Sequence, residues 1–132
     1  MEDKAGPAGE KKFLVVDDNL VNQKVFVAFL QKKGWHVVCV QDGKKAIQAV
    51  KTGDYDLVLM DVQMPEIDGL ETTRQIRAYE APNNLHIPII AVTSFAMKGD
   101  REEFLAGGMD GYVSKPINRE ELYATIERFI SD

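Results

Sequence analysis

The chain has 132 residues, 45% of them hydrophobic and 28% charged, with a net charge of −5 at neutral pH. That is enough for one domain with its own core, without disulfides or a structural metal, and it excludes the clustered basic surface that a nucleic-acid backbone demands. One cysteine cannot form an internal disulfide, no apolar stretch reaches the length of a membrane span, and the start Met1-Glu2-Asp3-Lys4 lacks a signal-peptide pattern, so the expectation is a cytoplasmic protein without direct nucleic-acid or membrane contact.

Residues 1–11 are rich in charge, Gly, Ala and Pro and show no apolar periodicity, which predicts a flexible lead-in ahead of a domain over 12–132. A first strand is expected at Phe13-Leu14-Val15-Val16. A first helix follows, with Val21, Val25, Ala28 and Phe29 on one stripe before Gly34. A second strand runs from Val37 to Val40, and its Cys39 reads as a small core residue. The second helix carries Ala46, Ile47 and Val50 and stops at Gly53.

Leu57-Val58-Leu59-Met60 predicts the third strand. Asp68 with Glu71 caps a third helix bearing Leu70, Thr73, Ile76 and Arg77. Ile89-Ile90-Ala91-Val92 gives the fourth strand, and a weakly apolar fourth helix over Asp100 to Ala106 ends at Gly107-Gly108. After a short fifth strand at Tyr112-Val113, Asn118 and Glu121 stand at capping-box spacing before a stripe of Leu122, Ile126, Phe129 and Ile130. Strands apolar throughout are expected where both faces of a sheet are covered, so the alternation predicts a doubly wound α/β fold with a parallel sheet.

Open sheets of this class gather ligands at the carboxyl ends of their strands. Here the first strand ends in Asp17-Asp18, the third in Asp61 and the fourth in Thr93-Ser94, while Ser114-Lys115-Pro116 follows the fifth. Three converging carboxylates repel one another unless a divalent cation offsets them, and oxygen ligands select Mg²⁺ or a similar hard ion. A carboxylate beside such an ion can attack phosphorus while the ion and a cation such as Lys115 offset phosphoryl charge, which makes Asp61 the natural nucleophile. A lone Asp after a strand is usually a cap or turn residue, and that suffices for Asp42 and Asp54. His36 and His86 lack metal-ligand spacing, so structural or surface roles are expected for both, and Trp35 reads as a packing or turn-edge residue.

The segments Val15-Val16-Asp17-Asp18-Asn19, Leu59-Met60-Asp61-Val62-Gln63-Met64-Pro65, Asp68-Gly69, Thr93-Ser94 and Lys115-Pro116 resemble the response-regulator receiver family, from Lys12 to the C-terminus. The string from Asp17 to Gln23, with that around Asp61, is more similar to receivers of hybrid histidine kinases than to those fused to DNA-binding domains. The resemblance implies a flavodoxin-like sheet of order 2-1-3-4-5. It also implies Asp61 as phosphoacceptor, with Mg²⁺ on Asp18 and Asp61, on Asp17 largely through a water, and on the backbone carbonyl of Gln63. Thr93 is implied as the switch hydroxyl, Tyr112 as the aromatic that moves with it, Lys115 as the ion-pairing cation, and Lys115-Pro116 as a cis bond. Phe95 departs from the smaller residue common at its position.

The same resemblance implies a phosphohistidine donor, either a histidine kinase dimerisation domain or a histidine phosphotransfer protein, packing on Leu20, Asn22, Val25, Pro116 and Ile117. It implies a switching face on the fourth helix, fifth strand and fifth helix, where two copies can pair. Self-phosphorylation and slow self-dephosphorylation, not enzyme turnover on a small substrate, are expected. A stand-alone single-domain response regulator is the alternative to a hybrid kinase. Against an aspartyl-phosphate phosphatase stands Gln63, which cannot serve as the general acid two residues after Asp61. A phosphorylation-independent pseudo-receiver would be favoured by loss of the acidic pair, Asp61 or Lys115, and all are present.

Overall fold

Five apolar runs become five parallel strands in the computed structural model, which describes residues 11–64, 66–94 and 98–130. In chain order these are β1 (Lys12–Val16), α1 (Leu20–Lys32), β2 (His36–Val40), α2 (Gly43–Thr52), β3 (Leu57–Asp61), α3 (Gly69–Glu80), β4 (Ile89–Thr93), α4 (Lys98–Ala106), β5 (Gly111–Ser114) and α5 (Arg119–Ile130). A short 3₁₀ turn, Ala81–Asn83, follows α3 and was not evident in the apolar pattern. The sheet order is β2-β1-β3-β4-β5, a doubly wound arrangement as the alternation of elements predicts, in the order the family resemblance implies. The lead-in before Lys11 and the departure at Phe95 lie outside the described residues.

Successive side chains of a strand face opposite sides, and the core divides accordingly. On one face Phe13, Val15, Leu57, Leu59, Ile90, Val92 and Val113 meet Phe26 and Leu30 of α1 and Leu122 and Ile126 of α5. On the other, Leu14, Val16, Val58, Met60, Ile89 and Ala91 meet α2 through Ala46 and Ile47, α3 through Ile76 and α4 through Phe104. Every residue of β3 and β4 is buried, which is why those runs show no polar alternation.

The α1 stripe is corrected. Val21 and Ala28 point to solvent, Val25 and Phe29 are half-buried, and Phe26 and Leu30 form the buried seam. Apolar residues occupy every position from Val25 to Leu30, so spacing alone does not set the phase, and Phe26 and Leu30 take the interior. The end of α1 is as expected: Gly34, at φ 84°, donates to the Gln31 carbonyl and Trp35 to that of Leu30, a paired closure that needs a left-handed residue. Trp35 then packs edge-on to Phe13 on the core.

The expected caps are present. Asp42 accepts from Lys45 N–H, Asp68 from Glu71 N–H and Asn118 from Glu121 N–H at 2.8, 2.9 and 2.8 Å. The sequence marks Arg77 only as a position on α3. Its guanidinium instead joins Glu80 (2.6 Å), Asp110 (2.8 Å) and the carbonyls of Gly108 and Ile87, tying α3 to the segments that enter β4 and β5.

Candidate functional site

Parallel register brings the candidate residues together. Val16 pairs with Met60, Asp61 with Val92 and Thr93 with Ser114, so β1, β3, β4 and β5 deliver Asp17, Asp61, Thr93 and Lys115 to one edge of the sheet. Carboxylate oxygens of Asp17, Asp18 and Asp61 all lie within 4.8 Å of one another. Asp17 and Asp61 are buried, at 1% and 4% exposure, whereas Asp18 faces solvent.

The cluster is electrostatically incomplete by itself. Burial and then repulsion from Asp17 push the Asp61 carboxyl up to about 6, although the Gln63 N–H and the Lys115 ammonium favour its ionised form. Both of those contacts fall on Oδ1, from Gln63 N–H at 3.1 Å and from Lys115 Nζ at 3.5 Å. Asp17 Oδ1 accepts from Asn19 N–H at 2.9 Å, but its buried Oδ2 has no hydrogen-bond partner among the described residues. A hard divalent cation fits this donor set, because it would supply the missing charge and a partner for Oδ2 together.

The Lys115-Pro116 bond is cis, as expected. Lys115 N–H donates to the Thr93 carbonyl at 2.8 Å, linking the ends of β4 and β5, and Thr93 itself is buried. Tyr112 is half-buried: its side chain packs on the α2–α3–α4 side of the sheet and carries the Arg101 guanidinium 5.3 Å from its ring centre. Neither Arg101 nor its stacking was anticipated, since a lone Arg on a polar helix has no sequence signal.

Of the five candidate partner contacts, Leu20 and Pro116 are exposed, Asn22 and Val25 are half-buried, and Ile117 is half-buried against the core. Val21, 69% exposed beside Leu20, joins this surface from outside the expected set. A cleft of about 360 Å³ lined by Asp18, Leu20, Gln41, Asp42 and Glu66 opens next to it.

A parallel sheet of this order with three carboxylates and a lysine at its carboxyl edge defines a doubly wound α/β domain with an acidic site where such folds bind their ligands. The family model described as response regulator receiver domain matches residues 13–127, and the chain belongs to that family. It is 49% identical over 121 residues to hybrid signal transduction histidine kinase I of Dictyostelium discoideum, with 88% of this chain and 7% of that protein covered. It is 38% identical to the polar-differentiation response regulator DivK of Brucella ovis, with 92% and 98% covered. The chain therefore spans under a tenth of the first relative's length and nearly all of the second's.

Among solved structures it resembles the receiver domain of the sensor histidine kinase PA1611 of Pseudomonas aeruginosa, with a magnesium ion coordinated in its active-site cleft, at 41% identity and TM-score 0.83 over 94% and 100% of the two chains. It also resembles the receiver domain of Ssk1 in complex with the histidine phosphotransfer protein Ypd1 of Saccharomyces cerevisiae, at 29% identity and TM-score 0.86 over 91% and 88%. Its relatives are receivers of hybrid histidine kinases and of phosphorelay response regulators. No helix among the described residues is long and apolar enough to cross a membrane.

Proposed function

We propose that this receiver takes a phosphoryl group from a phosphohistidine onto Asp61, with Asp17, Asp18, Asp61 and the Gln63 carbonyl holding Mg²⁺. The observation that carries the reading is the buried Asp17–Asp61 pair, whose Asp17 Oδ2 has no hydrogen-bond partner among the described residues and whose Asp61 is held at about 6. Bound Mg²⁺ would offset negative charge on the carboxylates and on the phosphoryl oxygens.

The chain's own groups then have distinct tasks. An Asp61 carboxylate oxygen attacks phosphorus as the phosphorus–nitrogen bond breaks, and the bond's electron pair returns to the histidine ring. Lys115 supplies positive charge at the phosphoryl oxygens. Thr93 turns its hydroxyl toward them, Tyr112 follows, and the α4–β5–α5 face changes, where a second copy can pair. Hydrolysis of the acyl phosphate is slow and self-catalysed, so the domain is a switch that turns over no external substrate.

The donor is a histidine kinase dimerisation domain or a histidine phosphotransfer protein, docking on Leu20, Val21, Asn22, Val25, Pro116 and Ile117. The parent protein is a hybrid histidine kinase acting in the cytoplasm, a reading favoured by the higher identity to the Dictyostelium kinase than to DivK. Acetyl phosphate with Mg²⁺ is expected to produce a shifted band on a phosphate-affinity gel for wild type and none for Asp61→Asn. Equal shifts of the two proteins would remove Asp61 from its role. Steady hydrolysis of small phosphoesters would replace the receiver reading with a phosphatase.

A further inference from the structure

We propose that Gln23, on the first turns of α1, is a positioning residue for the acidic cluster, holding the main chain of Asp17 so that its carboxylate stays beside Asp18 and Asp61. This rests on the receiver reading above.

Asp17 follows the last residue of β1, where the strand ladder no longer fixes it on both sides. Its N–H donates to the Val40 carbonyl at the end of β2 (3.1 Å), and its own carbonyl accepts from Gln23 Nε2 (2.6 Å). The same Nε2 stands 3.5 Å from the Val40 carbonyl. One carboxamide thus spans the ends of two neighbouring strands from the helix that connects them. Both of its neighbours are acceptors, which assigns the nitrogen, not the oxygen, to this contact.

The hold matters because the cluster pushes outward. Asp17 Oδ2 is buried with no hydrogen-bond partner among the described residues, and carboxylate oxygens of Asp17, Asp18 and Asp61 lie within 4.8 Å of one another, so repulsion favours swinging the Asp17 carboxylate toward solvent. Asn19 N–H restrains Oδ1 from within the same loop, whereas Gln23 restrains the Asp17 peptide from a regular helix. Outer partners of this kind orient metal-ligating groups without touching the metal.

The requirement is a donor of sufficient reach, which makes the substitutions unequal. Leucine keeps the volume and loses both N–H groups. Asparagine keeps the carboxamide one methylene short. Arginine restores donors at full reach.

The test is calorimetric titration of the full chain with Mg²⁺ well below its melting temperature, using wild type, Gln23→Leu, Gln23→Asn and Gln23→Arg. Gln23→Leu and Gln23→Asn are expected to bind Mg²⁺ roughly tenfold more weakly, while Gln23→Arg stays near wild type. In the metal-free protein, hydrogen exchange at the Asp17 and Asp18 amides is expected to accelerate in the first two variants, with the Phe13 and Leu122 amides unchanged. If Gln23→Leu does not fold, the Asn and Arg variants decide the matter. Wild-type Mg²⁺ affinity in Gln23→Asn, or affinity in a folded Gln23→Arg as weak as in Gln23→Asn, overturns the assignment of Gln23 alone. A wild type that neither binds Mg²⁺ nor accepts phosphoryl from acetyl phosphate overturns the receiver reading and this inference with it.

Discussion

Lys115 Nζ stands 3.5 Å from Asp61 Oδ1, although the two residues come from strand ends separated by all of β4. The ammonium lowers the Asp61 pKa, but burial and the Asp17 charge outweigh it, so the pair does not offset the negative charge of the whole cluster. Its cation remains available for a group that arrives later with more negative charge. Lys115→Ala is therefore expected to keep Mg²⁺ binding, since the carboxylates are intact, and to transmit phosphorylation poorly. Calorimetry would measure the first and phosphorylation-induced chemical-shift changes in α4, β5 and α5 the second. Loss of Mg²⁺ binding would contradict this division of labour.

Asp61 also predicts how the metal-free protein responds to pH. Its carboxyl is raised from 3.8 to about 6 on folding, so the folded chain binds more protons than the unfolded chain across that window. Stability consequently falls as pH rises through the window, and by neutral pH the ionised, desolvated carboxylate costs about 2 kcal/mol. Asp61→Asn should remove that cost, stabilising the metal-free protein at pH 7 by about 1–2 kcal/mol and giving no gain below the unfolded carboxyl range. Urea midpoints at pH 7 and at acidic pH would check it, and an Asn variant less stable than wild type at pH 7 would count against it.

The fold and the acidic cluster were legible in the sequence for one reason. Strands buried on both faces must be apolar throughout, so a charged residue at the end of such a run, as at Asp17 or Asp61, stands out and lies at the carboxyl edge by construction. The phase of α1 was not legible, because a helix apolar on most of its circumference contains more than one stripe, and the buried one runs through Phe26 and Leu30. Gln23 and Arg77 were opaque for a different reason. Each acts through main-chain carbonyls or acids brought near only by folding, 17 residues away at Val40 and 33 at Asp110. A polar residue on a helix carries no mark of such a partner.

Gly69 opens α3 directly against the end of β3, at Asp61. A Cβ there would clash with the Asp61 carbonyl and stand 2.9 Å from the Val62 Cα, both backbone atoms with little freedom to retreat. Gly69→Ala should destabilise the fold by about 1–3 kcal/mol and slow phosphoryl uptake from acetyl phosphate, since relief moves either α3 or the Asp61 peptide. Thermal unfolding together with the rate of phosphate-affinity labelling would test this. Unchanged stability would mean that α3 shifts freely and that the close approach is incidental.

Arg77 should separate stability from chemistry. Its guanidinium is 18% exposed, and Asp110 accepts from it, from Ile89 N–H and from His86, so one carboxylate anchors three segments at the edge opposite the acidic cluster. Breaking a buried pair leaves an uncompensated charge, at a cost of several kcal/mol when burial is complete; the partial exposure here reduces it to about 2–3 kcal/mol for Arg77→Met or Asp110→Ala. The double variant should lose less than the sum, because the second change removes the charge stranded by the first. Mg²⁺ affinity and labelling at Asp61 should be unchanged below the melting transition, since neither residue contacts the carboxylate cluster. Additive losses in urea denaturation would mean that the two side chains act independently, and weakened Mg²⁺ binding in either variant would mean that the two ends of the sheet are coupled.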